Sequence, residues 1–110
     1  MWLYGETQDQ RAIPYARRAF KLQPKSAPIA DTLGWLLLRS GQAKESLPVL
    51  KKAHDGAPGH PEIGYHYAVS LSENGQKAKA RETIKSVLDT GKKFQGINQA
   101  RDLYKNLLQK

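Results

Sequence analysis

The sequence repeats itself at a shift of 34 residues, and this period restricts the possible folds more than any other feature of the chain. Three slots hold related residues at that interval: Ala12, Ser46 and Ala80; Ala16, Leu50 and Ile84; Ala19, Ala53 and Val87. A repeat of this length is typical of arrays in which each unit is one pair of elements that buries its apolar face against its neighbours. We therefore expect a stack of similar units rather than one closed core.

Each unit predicts two amphipathic helices, because apolar residues recur three and four positions apart between helix-breaking residues. The predicted helices span residues 10–22, 27–40, 43–57, 61–74, 77–90 and 96–109. Gly41, Gly75 and Gly91 follow three of these helices and suit the left-handed conformation that often ends a helix. Pro14 and Pro48 fall five or six residues inside two others, so we expect a mild kink or a later helix start there.

The spacing of small and apolar residues resembles the tetratricopeptide repeat, whose pattern runs Leu-Gly-x-x-Tyr, then Ala-x-x-x-Phe, then Pro. One unit supplies Leu33, Gly34, Leu37, Ser46, Leu50, Ala53 and Pro58 at these slots, and the next supplies Tyr67, Ala68, Leu71, Ala80, Ile84 and Val87. The resemblance implies an all-α fold: a right-handed α–α superhelix of antiparallel helix hairpins, closed by a C-terminal capping helix.

The repeat register divides the expected single domain, residues 1–110, into four parts. Residues 1–26 form a truncated repeat, 27–60 and 61–94 form full repeats, and 95–110 form the capping helix. The segment Trp2-Leu3-Tyr4-Gly5 looks like the tail of a first helix. We therefore expect the chain to be a C-terminal piece of a longer solenoid.

A narrower resemblance is carried by two phrases, Asp31-Thr32-Leu33-Gly34-Trp35 and the run of residues 61–68, together with residues 91–94. They look like the C-terminal repeats of the tetratricopeptide lipoproteins that accompany bacterial PEP-CTERM/exosortase loci. That association implies a Gram-negative cell-envelope or periplasmic protein linked to exopolysaccharide production and protein sorting. Without it, the expectation is a cytoplasmic protein, so localisation stays open between the two.

Few residues suit catalysis or metal binding. The chain has no cysteine, and it contains no phosphate-binding loop or serine-nucleophile motif. The three histidines, His54, His60 and His66, are six residues apart, a step that turns neighbours onto different helix faces. We expect them to be solvated or hydrogen-bonded, and we predict no catalytic residues, no metal site, no cofactor and no transmembrane segment.

The leading hypothesis is a non-catalytic scaffold that binds a peptide or protein segment. Members of the family usually bind ligands in the concave groove lined by the first helix of each repeat. The residues that helical spacing places on that face are Asp31, Trp35, Leu38, Arg39, Glu62, Tyr65, Val69, Ser72 and Glu73. Family members that clamp a peptide carboxylate use lysine and asparagine at slots that here hold Asp31, Trp35, Tyr65 and Val69, so we do not expect a carboxylate clamp.

Two alternatives remain open. The net charge of +8 suits binding of a polyanion, either nucleic acid or an exopolysaccharide. Most lysines and arginines fall on the second helices, the outer convex layer in the family, where they are also explained as a solvated surface; nucleic acid is the less favoured partner. The chain could also self-associate through Trp2, Leu3, Tyr15 and Ala19 of the truncated repeat.

Overall fold

The computed structural model describes residues 7–109, and over that range it contains six α-helices and no strand. The helices are α1 (Gln8–Leu22), α2 (Ala27–Arg39), α3 (Ala43–Gly56), α4 (Pro61–Glu73), α5 (Lys77–Asp89) and α6 (Ile97–Leu108). The six predicted helices are confirmed; the largest shift is at α1, which begins at Gln8 rather than at residue 10. No helix in the described range is both long and apolar enough to span a bilayer.

Side chains and glycines at the helix ends explain where the helices begin and stop. Ser26 Oγ accepts the amide of Ile29 at 3.3 Å, and His60 Nδ1, one repeat later, accepts the amide of Ile63 at 3.4 Å. Each therefore satisfies one of the amides that a helix leaves unpaired at its start. After α2 the chain turns through Gly41, whose φ is +83°, a left-handed conformation that favours glycine.

The two helix-internal prolines do not delay their helices. Pro14 and Pro48 lie well inside α1 and α3, so the expectation of a later helix start is wrong. Both prolines are exposed, so neither ring intrudes on the packing between helices. Helix packing on the opposite face outweighs the missing amide hydrogen bond at each site.

Neighbouring helices pair as antiparallel hairpins and the hairpins stack. Helix α2 packs against α3, and α4 packs against α5, while α1 and α6 cover the two ends of the stack. The first helices α2 and α4 also contact each other, whereas the second helices α3 and α5 share no comparable interface. The stack therefore curves with α2 and α4 on its inner side.

The largest apolar cluster runs through the α3–α6 half of the stack. Its buried members are Leu50, Tyr67, Ala68, Leu71, Ala80, Ile84, Val87, Ala100 and Leu107. The stripe that the repeat period predicts supplies most of this core. Two smaller clusters, one around Leu33 and Leu37 and one around Ala53 and Ile63, continue it toward α1. The core is thus a series of interfaces along the stack, as expected for a repeat array.

Glycines allow the helices of each hairpin to approach closely. A Cβ atom added at Gly34 of α2 would lie 2.6 Å from Leu50 Cδ2 of α3, and one added at Gly64 of α4 would lie 2.5 Å from Val87 Cγ2 of α5. Neither distance is compatible with a real side chain at its present position. Leu50 is completely buried, so it has little room to move away.

A small polar network lies between the two hairpins. The hydroxyls of Ser46 on α3 and Ser70 on α4 are both fully buried and are 2.7 Å apart. Asn74 Nδ2 also donates to the Ala43 carbonyl at 3.0 Å, which links the end of α4 to the start of α3. Because buried hydroxyls need partners, this network favours one register of α4 against α3.

Substitution of Gly34 by alanine tests the close approach in the first full hairpin. We expect Gly34→Ala to lower the free energy of unfolding by about 1 to 2 kcal/mol, because overpacking costs more than alanine regains in helix propensity. Urea denaturation followed by circular dichroism measures this change. Gly59→Ala is the matched control: a Cβ at Gly59 meets nothing within 4 Å, so we expect a change of at most about 0.5 kcal/mol. Equal effects of the two substitutions would contradict the packing argument.

Candidate functional site

His66 of α4 is fixed between two residues of α2. Its Nδ1 atom is 2.7 Å from Asp31 Oδ1, and its ring stacks on the indole of Trp35 with centroids 3.9 Å apart and an angle of 18° between the planes. Asp31 and Trp35 are four residues apart on α2, so one helix face holds both contacts. This cluster joins the two first helices across the repeat boundary.

The hydrogen bond to Asp31 determines which nitrogen of His66 faces away. An ionised carboxylate only accepts hydrogen bonds, so Nδ1 of His66 donates to Asp31. Nε2 then carries the free lone pair in the neutral ring. The side chains of His66 and Asp31 are only 8% and 17% exposed, so little water competes for this bond.

A cavity of about 350 Å³ opens beside this cluster, and we call it the inter-repeat pocket. Its lining residues are Trp35, Glu62, Tyr65, His66, Gln95, Gly96 and Gln99. They come from α2, from α4, from the two residues before α6 and from the first turn of α6. Its volume is within the range of small-ligand sites and can hold one long side chain.

Three of the residues that line the inter-repeat pocket, Trp35, Tyr65 and His66, have aromatic rings. The rings of Trp35 and Tyr65 lie 6.0 Å apart and are tilted by 50°, and Tyr65 in turn contacts Phe94 at 6.3 Å. Burial raises the pKa of the Tyr65 phenol above its usual value, so the phenol stays protonated at neutral pH. Trp35 and Tyr65 are only half-buried, so each keeps surface that a ligand can cover.

The pocket carries negative charge. Glu62 contributes a carboxylate to the lining, and Asp31 adds a second carboxylate directly behind His66. Among the described residues, no lysine or arginine lines the pocket. Arg39, the only cation that the sequence placed on this face, forms an ion pair with Asp9 of α1 at 3.1 Å.

The nine residues predicted for the groove therefore fall into three groups. Trp35, Glu62 and Tyr65 line the inter-repeat pocket, and Asp31 lies next to it through His66. Leu38 packs against the main apolar cluster and Arg39 pairs with Asp9. Val69 and Ser72 are half-buried on α4, while Glu73 is exposed at its end. The structure thus brings four of the nine together at one place.

Four residues of the pocket were missed by sequence reasoning. His66 was expected to be solvated or hydrogen-bonded but was not assigned to the groove, although its position 35 residues after Asp31 puts it one repeat plus one residue further on and therefore within reach. Gln95 and Gly96 lie just before α6 and Gln99 lies in its first turn, and α6 was predicted only to cap the stack. No periodic signal marks that segment as part of a groove.

Each histidine has its own packing or hydrogen-bonding role. His60 caps α4 and His66 binds Asp31, while His54 stacks on Tyr67 at 5.2 Å with its Nδ1 buried and unpartnered in the described structure. Within residues 7–109, no group of three or more histidine and carboxylate side chains is placed to hold a metal ion.

The convex surface is basic, and several of its cations are paired. Lys51 binds Asp55 and Lys85 binds Asp89, both at 2.9 Å and both four residues apart, so the same ion pair recurs one repeat later. The pKa of each lysine is raised by its hydrogen bond to the aspartate. Arg17 of α1 binds Glu45 of α3 through both guanidinium nitrogens, and this hydrogen bond lowers the pKa of Glu45.

The self-association hypothesis rests partly on residues outside the described range. Trp2 and Leu3 fall there, so the structure says nothing about them. Tyr15 is 75% exposed on α1, and Ala19 is half-buried. Exposure of Tyr15 is compatible with an interface but does not identify one.

Removal of the Asp31 carboxylate tests whether it holds His66. We expect Asp31→Ala to lower the free energy of unfolding by about 1 to 3 kcal/mol, because the buried Nδ1–H of His66 loses its acceptor. Asp31→Asn keeps an oxygen at the same place, so its loss is expected to be smaller. Thermal and urea denaturation of both variants measure the difference. Equal stabilities of Asp31→Ala and the wild type would show that the hydrogen bond contributes nothing.

Because His54 is partly buried, we expect the folded protein to lose stability in acid. Burial lowers its pKa, while neighbouring Asp55 raises it and Lys51 lowers it by smaller amounts. A histidine whose pKa is lower in the folded state contributes stability above its unfolded pKa, and that contribution disappears as the pH falls through the folded pKa. We expect unfolding free energies measured from pH 8 to pH 5 to decline less in His54→Gln than in the wild type. Parallel pH profiles would refute this.

Comparison with known proteins places this geometry in a family. A family model described as tetratricopeptide repeat matches residues 37–110, which is more than half of the chain. Among curated proteins, no sequence matches the chain.

Solved structures share the fold. The structure described as "TPR2B-domain:pHsp70-complex of yeast Sti1" superposes with a TM-score of 0.77 at 17% identity, and the match covers 92% of this chain and 83% of that one. Two structures of MamA also match. "MamA RS-1 ArsTM double mutant" has a TM-score of 0.70 at 21% identity, covering 92% of this chain and 65% of that one. "MamA MSR-1 C2" has a TM-score of 0.66 at 20% identity, covering 74% and 47%.

These matches confirm the predicted all-α solenoid of helix hairpins. At such low identity they show the fold and not the ligand. The repeat period, the stacked hairpins and the family match agree, and the chain belongs to the tetratricopeptide repeat family.

Proposed function

We propose that this protein is a non-catalytic scaffold that binds a segment of another protein along the inner face formed by α2, α4 and the start of α6. The observation that carries the proposal is the inter-repeat pocket, where Trp35 and Tyr65 remain half-exposed on a surface built from two repeats. Half-exposed aromatic side chains in a concave site supply large contact areas and are frequent binding hot spots.

The pocket is held in shape before any ligand arrives. Trp35 stacks on His66, His66 is hydrogen-bonded to Asp31, and Tyr65 packs against the main apolar cluster and Phe94. A ligand therefore does not have to order these side chains, which reduces the entropic cost of binding. Among the described residues, this site holds no arranged group of nucleophile, base and oxyanion donors. We therefore propose binding rather than catalysis.

The Sti1 domain supports a protein segment as the class of ligand, but it does not support the same mode of recognition. That domain is in a complex with pHsp70, so the same fold binds a protein segment there. In the present chain the groove residues Asp31, Trp35 and Tyr65 replace the lysine and asparagine with which some family members hold a peptide carboxylate. We therefore propose a different mode of recognition on the same inner face.

The convex surface is a second candidate binding site. Lys44, Lys77 and Lys79 are exposed and make no ion pair with any described carboxylate, so these cations remain available to a polyanion such as an exopolysaccharide or RNA. Such binding would weaken steeply as salt displaces the released counterions. The association with PEP-CTERM/exosortase loci, and with it the cell envelope, stays a prediction that rests on short sequence phrases.

Two tyrosines on different surfaces allow a direct test of the groove. A peptide selected from a random displayed library is titrated calorimetrically into the wild type, Tyr65→Ala and Tyr15→Ala. We expect Tyr65→Ala to weaken binding by at least about 1 kcal/mol, because Tyr65 lines the pocket, and Tyr15→Ala to leave it unchanged. Circular dichroism checks that both variants fold.

The convex alternative predicts the opposite result. Heparin or RNA would bind more tightly than any peptide, its affinity would collapse between low and high salt, and the double variant Lys77→Ala/Lys79→Ala would bind less while Tyr65→Ala would not. That outcome, or a library that yields no peptide, would refute the proposed groove function.

A further inference from the structure

The inter-repeat pocket combines aromatic walls with an unpaired carboxylate, and a general peptide groove does not require that combination. We propose that the pocket receives a cationic side chain, arginine or lysine, of the protein segment that lies in the groove. This inference rests on the proposed function and specifies the chemistry of the partner: a segment with a basic residue at the position that meets Glu62.

The negative charge of Glu62 favours a cationic side chain in the pocket. Glu62 is half-buried at the pocket, and it forms no ion pair or hydrogen bond with any described residue. The carboxylate of Asp31 lies one side chain further in, behind His66. Lys92 donates to the Gly59 carbonyl, just before α4, at 3.2 Å and does not line the pocket. Nothing in the described lining therefore neutralises Glu62.

The aromatic rings that line the pocket also favour a cation. Trp35 and Tyr65 stand 6.0 Å apart at an angle of 50°, so their rings form two sides of the pocket. The negative face of an aromatic ring attracts a cation, and tryptophan and tyrosine do so strongly. A guanidinium group can lie flat on such a ring and still donate two parallel hydrogen bonds to a carboxylate such as Glu62. The side-chain amides of Gln95 and Gln99 offer further acceptors at the rim.

The N-terminal ends of α4 and α6 carry partial positive charges, which oppose the negative charge of the pocket. Glu62 is the second residue of α4, where it also interacts favourably with the helix dipole, and α6 begins at Ile97, after the N-cap Gly96, without a side-chain cap. Each helix start is equivalent to roughly half a positive charge, and the effect falls off within one turn. Glu62 carries a full negative charge at the pocket itself, and the rings of Trp35 and Tyr65 attract cations, so the pocket favours a cation over an anion. An acidic side chain there would meet Glu62 at close range.

The experiment uses the 110-residue chain and a peptide selected against it from a random displayed library. We expect the selected peptides to contain arginine or lysine. In a peptide with arginine, replacing that arginine by citrulline keeps the shape and removes the charge, so we expect binding about tenfold weaker. Replacing it by glutamate is expected to weaken binding further.

A matched pair of protein variants assigns the effect to the pocket. Glu62→Gln removes the charge without changing the side-chain shape. We expect it to weaken binding of the arginine peptide about tenfold and to remove the preference for the arginine peptide over the citrulline peptide. Glu82→Gln, on the exposed side of α5, removes the same charge elsewhere and should change neither value. Raising the salt concentration should reduce the difference in affinity of the wild type for the arginine and citrulline peptides, because salt screens charges near the surface.

The possible results separate the inference from the function on which it rests. Peptides that bind in a Tyr65-dependent manner but lack a basic residue, or that bind equally with citrulline, would overturn the cation pocket and leave the groove intact. A preference for arginine that survives in Glu62→Gln would also overturn it, because the charge would then be read elsewhere. If no peptide binds, both the inference and the proposed function are wrong.

Discussion

Close packing of the two helices within each hairpin is the constraint on which the rest of the structure depends. Gly34 lets α2 rest directly on Leu50 of α3, and Gly64 lets α4 rest on Val87 of α5. Larger residues there would push the helices apart, and the first helices α2 and α4 could no longer contact each other on the inner side of the stack. The inter-repeat pocket exists because these two helices meet: Asp31 and Trp35 come from one and His66 from the other.

Polar and aromatic contacts between the repeats hold the side chains of the inner face in one arrangement. The buried hydroxyl pair Ser46–Ser70 favours one register between the hairpins, and the Asp31–His66 bond with the Trp35 stack fixes the inner face in that register. Polar groups buried in this way contribute specificity more than stability, since each is costly when its partner is missing. The basic outer surface is organised differently, through repeated exposed pairs such as Lys51–Asp55 and Lys85–Asp89. Exposed pairs of this kind contribute little to stability.

Much of this architecture could be predicted from the sequence, and the part that could not has a physical reason. The 34-residue period and the helix-ending glycines predicted the helices and the core stripe because both depend on local spacing. Helix positions also placed Asp31, Trp35, Glu62 and Tyr65 on one face. His66 was missed because its role depends on contact between two repeats. Gln95 and Gln99 were missed because α6 was predicted only to cap the stack, whereas its first turn and the residue before its N-cap line the pocket. The later helix start, one of the two outcomes expected at Pro14 and Pro48, was wrong because local propensity was given more weight than packing.

The central claim is that ligands bind on the inner face of the stack, and hydrogen–deuterium exchange tests it most directly. Amide exchange is compared in the free protein and in the presence of a saturating bound peptide, with heparin as a second probe. The account predicts that the peptide protects α2, α4 and the first turn of α6, while α3 and α5 exchange as before. Protection confined to α3 and α5, or the same protection by heparin as by peptide, would contradict it.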